Sequence, residues 1–151
     1  MRTLKVMTAV CLLSLAVSAA DSPFSGTWKL NLSKSKLAFA DKTISDVLHI
    51  RADENGLKYA EENIDDTGTH KISVEAKFDG KDYPVKGDPL SDTVAYQRSG
   101  DALLITLKKD AKVVAKSKVV VSKDGQTSTV HYTIYGEKPQ IGVAVYDRQK
   151  D

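Results

Sequence analysis

Seven polar side chains, Asp46, Tyr59, His70, Tyr96, Arg98, Ser117 and Tyr132, share the sequence parity of the apolar residues around them. In a half-buried strand alternate side chains face the core, so this parity aims all seven inward. A few polar groups set in an apolar interior are what a small-molecule site needs to fix the orientation of its occupant. The chemistry on offer is hydrogen bonding and charge pairing. The plainer alternative has the tyrosines filling a core with their hydroxyls near a rim, and Asp46 and Arg98 standing at strand ends in water. A one-residue bulge would reverse any single assignment.

Other chemistries find less support. His49, His70 and His131 are the only histidines, and none stands at a local metal-binding spacing; no metal and no cofactor is expected. Glu61, Glu62, Asp65 and Asp66 crowd one hairpin but lack the alternating oxygen-ligand spacing of a calcium loop, so they read as a solvated turn. No Gly-x-Ser-x-Gly or similar nucleophile signature is present, and no Gly-rich phosphate loop. An enzyme would require Asp46, His70 and Arg98 to converge in one pocket, and the expectation is a protein that is not an enzyme. Lys112, Lys116 and Lys118 alternate along one segment and read as an exposed strand face.

The elements that must position these residues are strands. Trp28, Leu30 and Leu32 alternate with Thr27, Lys29 and Asn31, and the same period of two returns along the chain. Ten strands are predicted, near 26–32, 44–52, 57–64, 69–78, 81–85, 92–98, 102–109, 112–122, 127–135 and 141–148. Asn55-Gly56, Asp65-Asp66-Thr67-Gly68, Asp79-Gly80, Ser99-Gly100-Asp101 and Asp124-Gly125 supply turn residues between them. Pro84 and Pro89 mark the fifth segment as irregular or as an edge, the place where a barrel would gape. Helix is minor, one turn at most within Lys34 to Asp41. Serial hairpins argue for an all-β, antiparallel up-and-down meander that closes into a barrel of about eight to ten strands, because closure removes unpaired edges. An open sandwich is the alternative.

Residues 1–20 read as a signal peptide. Arg2 and Lys5 precede an apolar run from Val6 to Val17, interrupted by Thr8 and Ser14, which ends in Ser18-Ala19-Ala20. The run is shorter than the roughly 20 residues that span a bilayer, so cleavage after Ala19 or Ala20 is expected, with no membrane span in the mature form. Residues 21–151 then form one domain. Cys11, the single cysteine, leaves with the leader, so the mature chain has no disulfide and is held by packing alone. Of the 22 basic residues two lie in the leader, leaving 20 against 20 acidic residues. A neutral domain without a basic stripe argues against nucleic acid and anionic membranes as partners. The expected location is exported, periplasmic or secreted.

Phe24-Ser25-Gly26-Thr27-Trp28-Lys29-Leu30 resembles the opening strand of the calycins, the superfamily of lipocalins, fatty-acid-binding proteins and avidins, whose first strand carries Gly-x-Trp. The mature chain is similar to bacterial exported lipocalin-like proteins in Trp28 to Lys36, in Phe78 to Val85 and in Val143 to Asp147. The resemblance implies a barrel with Trp28 across its closed end beside Arg148, so Gly26, Trp28 and Arg148 are the expected structural motif. It also implies a small hydrophobic or amphipathic ligand inside. Two departures follow. About eleven residues, Ser33 to Thr43, leave no room for the helical lid of fatty-acid-binding proteins, and the positions of their Arg-x-Tyr carboxylate clamp hold Ala144 and Tyr146. The alternative from a different class is a solidly packed module that binds another envelope protein through loops or an edge.

Overall fold

Alternating sequences separated by tight turns give ten antiparallel strands in the computed structural model, which describes residues 22–38 and 42–150. They are β1 (Gly26–Leu30), β2 (Thr43–Ala52), β3 (Gly56–Asp65), β4 (Gly68–Lys77), β5 (Tyr83–Lys86), β6 (Thr93–Ser99), β7 (Ala102–Lys109), β8 (Lys112–Val121), β9 (Thr127–Ile134) and β10 (Gln140–Arg148). Each strand pairs with its neighbours in sequence, and β1 also pairs with β10, so the meander is a closed barrel. The predicted cleavage site and leader lie outside the described residues.

Closure rests on β1. Trp28 is opposite Leu48 on β2 and opposite Arg148 on β10. The ring is thinnest at β5, where two residue pairs join it to β4 and two join it to β6. Pro84 stands there as expected, yet the ring closes across it, because Val85 N–H donates to Asp92 O at 2.9 Å and completes the strand on that side. Asp79 delays the start of β5 to Tyr83: its carboxylate accepts from Lys81 N–H and from the Tyr83 hydroxyl, holding 79–82 as a turn.

One expectation needs correction. The helical turn expected within Lys34 to Asp41 falls in part on residues 39–41, outside the described residues; among the described residues there is a 3-10 turn at Leu32–Lys34. Asn31 caps it by accepting from Lys34 N–H, and Lys36 then bridges to Val143, drawing the chain into extended form along β10. Leu32 belongs to that turn and is not the end of β1.

The two ends of the barrel differ. At one end Phe24 packs with Ala52, Leu57 and Leu103, and Trp28, 1% exposed, packs with Leu30, Leu48 and Tyr146. Trp28 Nε1 donates to Phe24 O at 3.0 Å, and the Arg148 guanidinium lies 4.1 Å from the Trp28 ring centroid. Arg148 also donates to the carbonyls of Pro23, Ser25 and Gly125, tying the chain start to the β8–β9 turn. Gly26 permits this approach: a Cβ there would lie 2.3 Å from Arg148 Nη1, and its φ of +130° suits glycine. At the opposite end Ile44, Leu90, Val113, Tyr135 and Ile141 are exposed near strand ends and in the β5–β6 loop.

Candidate functional site

Between these ends the barrel encloses a cavity of about 260 Å³. Its walls are Trp28, Leu48, Ile50, Leu57, Val74, Val94, Leu103, Ile105, Val119 and Val130, with Tyr59, Glu61, Asp88, Tyr96, Ser117, Ser128 and Tyr146 as the polar members. The wall residues on strands take the inward parity of their strand, Asp88 comes from the β5–β6 loop, and valines and isoleucines suit both the pleat and the interior. The interior is therefore not packed solid, against the expectation attached to the packed-module alternative. A larger depression, about 1060 Å³, is bordered by Thr27, His49, Arg51 and Lys58, but it is an open concavity on the outer face of β1 to β3.

The seven predicted polar residues divide. Tyr59, Tyr96 and Ser117 line the cavity. Asp46, 5% exposed, lies on the same inward face of β2 as Leu48 and Ile50, and its Oδ2 accepts from the Tyr146 hydroxyl at 2.6 Å. Tyr132 packs against the Trp28 cluster, and its hydroxyl accepts from Ala38 N–H at 2.9 Å, so it braces the 32–38 segment and does not line the cavity. Gly142 makes room for that ring, since a Cβ there would meet the phenol at 2.3 Å.

His70 and Arg98 stand elsewhere. His70 shares the parity of Ile72 and Val74, but at the β3–β4 hairpin its Nε2 lies 3.2 Å from Asp65 Oδ1 and 3.0 Å from Thr67 Oγ1. Arg98, at the end of β6, folds over the Phe78 and Phe24 rings at 4.7 and 5.5 Å and donates to Ser22 Oγ and Asp53 O. It caps the Phe24 end from outside, where the strand runs out of barrel to point into. Asp46, His70 and Arg98 consequently do not converge in one pocket.

Glu61 corrects the reading of the 61–66 cluster as a solvated turn. It is two residues from Tyr59 on β3, takes the same inward direction, and lines the cavity. That shared parity was the available signal, masked by the acidic residues that follow it. The Tyr59 hydroxyl donates to Glu61 Oε2, and Asp46 is the charged neighbour that acts most strongly on Glu61. Burial, with the Asp46 charge second, pushes Glu61 up to about 8. Burial also raises Asp46 to about 6, opposed by the Tyr146 and Glu61 hydrogen bonds. Burial and mutual repulsion thus hold both carboxyls above the ordinary carboxylate range, Glu61 the higher of the two. Burial and the neighbouring carboxylates push the Tyr59 and Tyr146 hydroxyls well above the usual phenol range, so both stay as donors.

No groups of three or more potential metal-ligating side chains occur among the described residues, and no described helix is long and apolar enough to cross a membrane.

No protein-family model matches the chain, and no curated protein matches it in sequence. Solved structures do match in fold. The zebrafish ileal bile acid-binding protein, complexed with cholic acid, superposes with a TM-score of 0.60 at 11% identity, over 85% of this chain and 100% of its own. The wild-type fluorescent protein UnaG gives 0.60 at 19% identity, over 83% and 97%. The fatty-acid-binding protein of Manduca sexta gives 0.53 at 15% identity, over 82% and 97%. The closed antiparallel barrel of this chain is thus a fold it shares with these proteins. Two of these three matches are named as binding proteins.

Proposed function

We propose that this chain binds and carries one small apolar or amphipathic molecule inside its barrel, performs no chemistry on it, and does so after export from a bacterial cytoplasm with residues 1–20 removed. The observation that carries the binding reading is the enclosed cavity of about 260 Å³, apolar on most of its wall with a few hydrogen-bonding groups set into it. Burying an apolar molecule there gains roughly 0.8 kcal/mol per methylene removed from water, while the tyrosines and carboxyls fix its orientation. The barrels of similar fold include one crystallised with cholic acid and one named for fatty acids, which supports a carrier over a catalyst. Export is supported by the two basic residues, the apolar run and the small residues that end it.

Trp28 is the single tryptophan of the chain and borders the cavity, so its fluorescence reports occupancy. Titration with a medium-chain alcohol such as octanol is expected to give a saturable change with one site per chain. Ser117→Phe, which fills the cavity from β8, is expected to abolish that change while the variant still melts cooperatively. A linear, unsaturable response, or one that the filled cavity leaves intact, would overturn the reading.

A further inference from the structure

The cavity carries charge of one sign. Its ionisable wall residues are Glu61, Asp88 and the phenols Tyr59, Tyr96 and Tyr146, with no lysine, arginine or histidine among them. The groups that face Glu61 and Asp46 from the surrounding elements are equally one-sided. β2 contributes Asp46 itself, β3 Tyr59, the β5–β6 loop Asp88, β6 Tyr96 and β10 Tyr146, with Tyr132 of β9 beside Tyr146. His70, on β4, is engaged at the hairpin by Asp65 and Thr67. Asp88 is occupied by Leu90 N–H and the Ser91 hydroxyl.

The Asp46–Glu61 pair is therefore a buried anion without a cation. Asp46 Oδ1 is the one fully buried side-chain polar atom among the described residues that finds no hydrogen-bond donor. A buried charge without a partner is costly, and adding a second negative charge beside it costs more. A ligand carboxylate would meet that repulsion. An ammonium would bring both the missing positive charge and the missing donors.

We infer that the barrel takes amphiphiles with a protonated amine head, the ammonium resting on Glu61 in the field of Asp46 behind it and the apolar body lying along Ile50, Leu103 and Val119. This rests on the reading of the cavity as a ligand site. The Tyr146 hydroxyl donates to Asp46 Oδ2 at 2.6 Å and so supports a carboxylate of the protein itself.

Matched probes of one chain length separate the possibilities. Octylamine, octanol and octanoate are titrated by calorimetry into protein purified from cells expressing the full chain. Octylamine is expected to bind at least tenfold more tightly than octanol at pH 7.5, with octanoate undetectable. Its affinity should rise between pH 6 and pH 9 as Glu61 gives up its proton, because an alkylammonium, like a lysine at about 10.4, stays charged throughout. Octanol affinity should stay level. Glu61→Gln should remove most of the octylamine advantage and spare octanol; Asp46→Asn provides a second test of the same pair. Octanol binding as tightly as octylamine, or octanoate binding more tightly, would overturn the inference and leave the cavity reading standing. Binding of none of the three would overturn both.

Discussion

Glu61 and Asp46 make the stability of the unliganded barrel depend on pH in a direction opposite to that of most surface carboxylates. Both are raised, to about 8 and about 6 from ordinary values of 4.5 and 3.8, so the folded chain holds protons that the unfolded chain has released across that window. Stability is full below the unfolded values and falls as pH rises through the folded ones. The melting temperature without ligand is expected to drop by roughly ten degrees or more from pH 5 to pH 8.5, a loss on the order of 5 kcal/mol. Glu61→Gln should flatten the slope and exceed the wild type at pH 8.5; a wild-type slope that is level or upward would contradict this. At the closed end, Gly26→Ala places a Cβ against Arg148 at a φ of +130° and should cost about 2–4 kcal/mol in chemical denaturation. Parity in the sequence reached Tyr59, Tyr96 and Ser117, which line the cavity, but it carries no information on how far along the barrel a residue stands. His70 and Arg98 have inward parity at strand ends, so hairpin and cap partners claim them.

Among the elements, strand positions were legible because an apolar face repeats every second residue and most turns announce themselves with glycine. The β7–β8 turn is the exception: Asp110 and Ala111 adopt φ of 49° and 61° without a glycine. A two-residue hairpin of this type favours glycine, since an L-residue in the left-handed region costs roughly 1–2 kcal/mol. Ala111→Gly is expected to stabilise the barrel by about 0.5–1 kcal/mol, read as a shift in denaturation midpoint; a destabilised variant would contradict the turn assignment. The β5–β6 loop has a different part. Leu90 is 38% exposed and also borders the cavity, so it connects the interior with solvent beside the thinly paired β5. Leu90→Trp should slow octanol association several-fold in stopped-flow fluorescence and change its equilibrium affinity less; unchanged kinetics would place the entrance elsewhere. Register was not readable in the alternation, because any shift by two residues preserves the pattern.

For the whole molecule, the hairpin series predicted a meander and the need to satisfy edge strands predicted closure, and the structure is a closed barrel of ten strands. Whether its interior is filled was beyond the reach of the sequence, since a void depends on how side chains from ten strands meet across the axis. The two ends explain how such a void survives: Phe24, Trp28, Arg98 and Arg148 seal one, while the other carries its apolar side chains outward at the rim. A cavity of this size in a carrier should be occupied in the cell. The most direct measurement compares the native mass spectrum of the protein, expressed from the full chain and purified without detergent, with its denatured mass. The predicted result is an added mass of one small molecule in the native spectrum, absent after denaturation and absent in Ser117→Phe, on a chain beginning at Ala20 or Asp21. A native mass equal to the denatured mass, still bare after incubation with a lipid and amine extract, would contradict the carrier.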